Sequence, residues 1–375
     1  MKKTLIALAV LAASGASFAQ VTITGNLTMG YQGASSGASA GGNSSDSSGF
    51  GVDTSQIDFA ATEDLGGGMK ATAKMSLAGA DRSGESNSVT GGDVTGRDAS
   101  LTLQTNVGLF VLGSAKAGDY LSGGIAGVGA YYSGWDGKVL SARSRRDTAS
   151  YVLPINDFKF LLSYQEAANN QGLGNGTSGS NSLAAGSVGQ TLQVIGLNYA
   201  KGALVVDGQF LNWLSSANSN QTTTAASLVA ANAVSGSPTA VAAVLAGSTP
   251  TAKTQVRLSG SYDLGMVKFG LGHVVTTYDN GINANPKTYD SLVGASVPLG
   301  ALTLGAQFVT RRNDDLAASQ LATLVQNGTQ NGWNVQAAYA LSKRTSMIAN
   351  YARWDATIGN TTQANQTQLL LSHSF

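Results

Sequence analysis

The sequence predicts an all-β protein, a transmembrane antiparallel β-barrel of about 16 strands. Three observations predict it. Apolar and small polar side chains alternate with a period of two through most of the chain. Short connections alternate with long ones, as in a barrel whose two rims face different compartments. Charge is sparse, with 11% charged residues beside 42% hydrophobic ones, and yet no apolar run is long enough for a membrane helix.

Met1 to Ala19 reads as a leader. Lys2 and Lys3 form a basic start, Leu5 to Ala13 an apolar middle, and Ser17-Phe18-Ala19 a small-x-small cleavage site. Cleavage after Ala19 is expected, and losing the two lysines takes the net charge from +1 to −1. Residues 20–375 then read as a single barrel domain.

The first strand sets Val21, Ile23, Leu27, Met29 and Tyr31 against Thr22, Thr24, Asn26 and Thr28. Ile57 and Phe59 alternate with Gln56 and Asp58, and Met69, Ala71, Ala73, Met75 and Leu77 with Lys70, Thr72, Lys74 and Ser76. Leu302 to Phe308 and Trp333 to Tyr339 repeat the pattern near the other end. Short connections are expected at Glu63 to Gly68, Asn106 to Gly108, Pro154 to Asn156, Lys201-Gly202, Leu264-Gly265, Pro298 to Ala301 and Leu341 to Arg344. Long Gly/Ser/Asn-rich ones are expected at Gly33 to Gly49, Ala78 to Asp93, Ala115 to Ala142, Ala167 to Gly189 and Leu214 to Lys253, with shorter members after them. Strands of roughly 8–12 residues suit a tilted crossing of a bilayer, and only closure removes unpaired sheet edges in lipid. The apolar side chains therefore face lipid and the polar ones a wet lumen. Short turns belong to the periplasmic rim and long loops to the extracellular one. Ala225 to Gly247, rich in Ala, Val and Ser, reads as a loop insertion or a short helix pair at the mouth.

Composition excludes several functions. The chain has no cysteine and two histidines, His273 and His373, so thiol chemistry and Cys- or His-rich metal sites are not expected. Near-neutral charge argues against a nucleic-acid partner. Neither histidine has a nearby carboxylate in sequence to orient it, so no enzyme and no cofactor are expected. A soluble sandwich would carry more charge outside, and a solenoid would show a fixed repeat. Asp64-Leu65-Gly66-Gly67-Gly68 reads as a tight turn, since glycine takes positive φ without strain, and not as a phosphate cradle.

Ser55 to Lys70, with its Glu63-Asp-Leu-Gly-Gly-Gly68 turn, resembles the trimeric general porins of β-proteobacteria. So do Gly96-Arg97-Asp98-Ala99, Asp147 to Pro154, Tyr339 to Thr345 with its Ser-Lys-Arg-Thr turn, and the terminal Leu371-Ser-His-Ser-Phe375. The resemblance covers essentially the whole chain after the leader. It implies an outer-membrane homotrimer that passes ions and small hydrophilic solutes by diffusion. It implies a third long loop, 115–142, that folds inward and narrows the pore, and a terminal Phe375 that signals to the barrel assembly machinery. Lipid and lipopolysaccharide are then its surroundings. Gln56 and Ser114 stand where the family usually carries basic residues, so part of the expected basic wall is lost. A substrate-specific channel and a barrel adhesin acting through loops such as 214–253 are the alternatives.

Selectivity in a wet pore comes from its width and from charges at its narrowest part. The expected constriction set is Arg143, Arg145 and Arg146 facing Asp119 or Asp136 across the eyelet, with Tyr120 packing on the wall. Strand parity turns Arg146 inward with Thr148 and Ser150. The arginines also suit a solvated rim beside lipopolysaccharide phosphates. Gln56, Asp58, Lys70 and Lys74 are expected to line the pore below, and a slight preference for anions is expected.

Overall fold

The computed structural model describes residues 20–36, 45–79, 94–116, 120–129, 145–167, 191–215, 251–279, 287–314, 328–355 and 363–375. The leader and most of loop 214–253, including Ala225 to Gly247, lie outside them.

Sixteen strands follow in chain order: β1 (Gln20–Ser36), β2 (Ser45–Gly66), β3 (Met69–Ala78), β4 (Thr95–Thr105), β5 (Gly108–Lys116), β6 (Arg145–Ile155), β7 (Phe158–Ala167) and β8 (Thr191–Lys201). The second half is β9 (Leu204–Ser215), β10 (Thr251–Asp263), β11 (Lys268–Asp279), β12 (Lys287–Leu299), β13 (Leu302–Asp314), β14 (Gly328–Ala340), β15 (Thr345–Asp355) and β16 (Gln363–Ser374). Each pairs antiparallel with its sequence neighbours, and β16 returns to β1 to close the barrel. No helix occurs among the described residues.

Burial follows the period-two pattern with its usual sense inverted. Val21, Ile23, Leu27, Leu101, Leu112, Ile195, Leu258, Leu271 and Leu369 are exposed on the outside, whereas Thr28, Ser76, Gln255, Thr276, Gln307, Asn334, Asn350 and Gln368 are buried on the inside. Inner amides bridge strands: Asn334 donates to Asn350 (3.4 Å), Asn350 to Gln368 (3.3 Å) and Gln368 to Gln32 (3.0 Å), across β14, β15, β16 and β1. Aromatic pairs mark both rims of the outer apolar band. Phe110–Tyr151 and Phe158–Tyr199 (both 4.8 Å) stand near the short turns, and Tyr31–Phe50 and Trp333–Tyr351 (both 5.5 Å) towards the long connections.

The strands run longer than the apolar alternation. β1 and β2 span 17 and 22 residues and take in much of the Gly/Ser stretch expected as loop. Above the lipid the outer face needs no apolar side chains, so glycine and serine continue the backbone ladder there without leaving an alternation to read. The short turns fall where expected: Gly66, Gly67 and Gly68 take φ of 79°, 61° and 81°, and Asp64 accepts a hydrogen bond from the Gly66 N–H at 2.9 Å.

β1 and the C-terminal residue meet at the closing seam. Gly25 and Phe375 exchange both backbone hydrogen bonds (2.9 and 3.0 Å), and a Cβ on Gly25 would lie 2.3 Å from the Phe375 ring. Gly25→Leu is expected to cost about 1–3 kcal/mol through overpacking. It should lower the temperature at which the barrel loses its folded migration on a gel; an unchanged temperature would show that the ring has room to move.

Candidate functional site

After β5 the chain turns into the barrel. Residues 120–129 form a compact run of turns, with Gly127 N–H bonded to Gly124 O (3.1 Å) and Val128 N–H to Ala126 O (2.9 Å). The run lies against the inner face of β9 to β13. Its Leu121 and Ala126 are buried with Val274, Leu292, Val309, Ala352 and Trp354. Those five stand at inward positions of β11, β12, β13 and β15, where a wet wall would carry polar residues. They are apolar because the segment covers them.

Glycines let the backbones approach. A Cβ on Gly270 would lie 2.0 Å from Ala126 O, and one on Gly272 2.5 Å from the Leu121 side chain. A Cβ on Gly305 would lie 1.9 Å from Gly129 O, and one on Gly129 1.8 Å from Ala306 O. At Gly270, Gly305 and Gly129 the close atom is a backbone oxygen, so no side chain larger than hydrogen fits there without moving the segment, and the wall carries a slot for it.

Tyr120 anchors the near end. Its hydroxyl donates to Asp207 O on β9 at 2.8 Å, and the Arg257 guanidinium of β10 stands over its ring at 5.1 Å. Burial pushes the Tyr120 phenol well above its ordinary value, so it stays protonated as a donor. Arg257 is held in turn by Gln255 Oε1 (2.6 Å) and Gln209 Oε1 (3.4 Å). This cation was missed in the sequence, although Gln255, Arg257, Ser259 and Ser261 alternate with Val256, Leu258 and Tyr262 in the same way as the strands that were read.

Arg146 is half-buried on the inner face of β6, opposite Ala115 and Ala167, and donates to Gln165 Oε1 at 3.0 Å. Arg145 opens β6 at the register position opposite Lys116, one step out of phase with Arg146. Arg143, Asp119 and Asp136 lie outside the described residues. Gln56 and Asp58 share the inner face of β2 and are bonded to each other at 2.8 Å. Lys74 and Lys70 sit on the same face of β3, Lys74 opposite Ala60 and Ser100 and Lys70 opposite Asp64 and Gln104. Ser114, expected at the basic wall, stands exposed on the outer face between Ala99 and Asp147, because Gly113 takes the inward position there.

A second charged group on the wall is a bidentate pair. Arg311 Nε and Nη2 meet Asp290 Oδ1 and Oδ2 at 2.6 and 2.7 Å, with side-chain exposures of 14% and 5%. Arg311→Gln strands a buried carboxylate and is expected to cost about 3–5 kcal/mol, whereas Asp290→Leu with Arg311→Met should be near neutral. Denaturant unfolding of both variants checks this; equal losses would contradict it.

A closed sixteen-stranded barrel with an apolar outside, a polar inside and a segment seated on its inner wall defines an outer-membrane diffusion channel. The sequence model of the Gram-negative porin family matches residues 4–375, and the chain belongs to that family. It is an outer-membrane porin, and it forms a channel for passive diffusion. Among solved structures, the anion-selective porin from Comamonas acidovorans is 18% identical, with a TM-score of 0.65 over 96% of this chain and 100% of that one. The outer-membrane channel DcaP of Acinetobacter baumannii is 12% identical, with a TM-score of 0.61 over 95% and 97%. A loop-deletion form of OmpT from Vibrio cholerae is 15% identical, with a TM-score of 0.57 over 95% and 99%. No curated protein matches the chain.

Proposed function

We propose that this porin passes small hydrophilic solutes through an eyelet bounded on one side by residues 120–129 and on the other by the inner faces of β16 and β1 to β7, with a weak preference for anions. The seating of the segment in the glycine slot is the observation that carries the reading, because it fixes which part of the wall is covered. On the wall left open, Gln56, Asp58, Thr72, Lys74 and Arg146 meet the solute, and Arg257 adds a cation at the Tyr120 anchor. Arg143, Asp119 and Asp136 complete the constriction in this reading. In a narrow channel with low-dielectric walls a few such charges act strongly, because field lines are confined to the water.

The protein works as a homotrimer, in a bilayer of lipid and lipopolysaccharide, and its C-terminal strand with Phe375 addresses the assembly machinery. A salt gradient across a planar bilayer tests the selectivity. The expected reversal potential has the sign of anion permeation, and one on the cation side would overturn the preference.

A further inference from the structure

Between the glycine slot and the open wall lies a second apolar patch. Leu192 and Val194 on β8 and Leu211 on β9 have exposures of 0, 3 and 1%, with Leu161 and Trp213 packed against them. Their neighbours Leu162, Gln193, Ile195 and Phe210 are exposed on the outside, so strand parity turns the patch to the lumen. The cluster under residues 120–129 contains none of these five. Gln165, Leu192 and Trp213 are successive register partners, and Gln165 is the residue that holds Arg146. Apolar side chains on a wet wall are stable only under cover.

Chain length says what can cover them. Gly129 sits against Ala295 of β12 and Ala306 of β13, and the next strand, β6, opens at Arg145. The 15 residues 130–144, outside the described set, make this return; fully extended they reach about 50 Å. Going back past β11 to β7 takes six strand spacings, about 29 Å, whereas the other way round takes ten, about 48 Å. Only the first leaves the chain slack enough to follow the wall, and it passes over β8 and β9. Val139 and Leu140 stand on the last part of this return. From Arg145, five residues reach back about 17 Å, enough for the two spacings, about 10 Å, to β8.

We propose that the patch is a second docking seat on the inner wall, taken by residues 130–144 through Val139 and Leu140. The inward segment is then held at both arms, one in the glycine slot and one on β8 and β9, and the open wall begins at β7. Arg143, three residues past Leu140, is carried towards the edge where Gln165 holds Arg146. The seat rests on the reading of the eyelet given above and adds what fixes its second side.

The chain has no cysteine, so Leu192→Cys places a single thiol on the patch. Refolded residues 20–375 with this change are treated with a small charged thiosulfonate, and the rate of labelling is read by mass spectrometry. Slow labelling is the expected result. Adding Val139→Ser with Leu140→Ser should speed it about tenfold or more, since the arm loses the apolar contact that seats it. Adding Val244→Ser with Leu245→Ser instead, in the connection from β9 to β10, should leave the rate as it was. Leu211→Cys on the neighbouring strand gives the same reading should Leu192→Cys not reach its folded migration on a gel. Fast labelling before any further change, or no acceleration in the 139 and 140 variant, would overturn the seat. Acceleration in the 244 and 245 variant alone would also overturn it and give the patch to that connection. Conductance of the same protein reports the channel separately: a silent barrel would count against the pore and leave the labelling result standing.

Discussion

Gly270→Val with Gly305→Val is expected to lower single-channel conductance by about half or more, because the pore's width is set at its narrowest part. Both glycines lie in extended strands on the inner wall, so valine suits their backbone, and the barrel itself should form. What valine cannot do is share its place with the segment: a Cβ at either position falls about 2 Å from a backbone oxygen of residues 126 or 129. The wall is paired on both sides and cannot retreat, so the segment moves towards the axis. Gly208→Val is the control. Gly208 faces outward on β9, where a Cβ meets nothing closer than 3.9 Å, and conductance should not change. Conductance unchanged in the double variant would mean that the covered wall is not what limits the pore.

Arg146→Gln with Arg257→Gln is the second large effect expected. Glutamine keeps much of the reach and the hydrogen bonding of arginine and removes only the charge, so a change in selectivity without a change in width reports the field. The ratio of anion to cation permeability should fall about two- to fivefold, as expected when charge is removed from a focused channel field. The effect should shrink as salt rises and screening shortens the range. Arg257→Gln alone also loosens the cover over Tyr120, so part of its effect should appear as a wider spread of conductance levels. A permeability ratio unmoved by both substitutions would place the selective charges among Arg143, Lys70 and Lys74.

Much of the fold was legible because a barrel in lipid leaves a simple trace. Every second residue must be apolar while the strand is in the membrane, and every short turn must be built of residues that bend. Leu27 against Thr28 and Met75 against Lys74 could be read at once, and so could Gly66 to Gly68. Parity also placed Gln56, Asp58, Lys70, Lys74 and Arg146 on the inner face. Above the membrane that constraint ends, and the upper parts of β1 and β2 looked like loop. Ser114 was misplaced because a resemblance in sequence does not carry the phase of a strand.

The inner contacts were not legible for a different reason. Closure brings residues 120–129 against β9 to β13, between 87 and 177 residues further on in sequence, counting from Tyr120 to Asp207 and from Gly129 to Ala306. Nothing local in Gly270, Gly272 or Gly305 distinguishes a docking slot from an ordinary strand glycine. The one trace was chemical: Val274, Leu292, Val309 and Trp354 are apolar at positions where parity calls for polar side chains. Apolar residues on the wet face of a barrel are a sign that something covers them.

An open water-filled barrel narrowed by residues 120–129 shows itself in single-channel recording of refolded residues 20–375 in a planar bilayer. Conductance steps in groups of three, rising in proportion to salt and smaller in Gly270→Val with Gly305→Val, are the predicted result. No steps from protein shown to be folded by its gel migration, or a conductance that saturates with one solute, would contradict it.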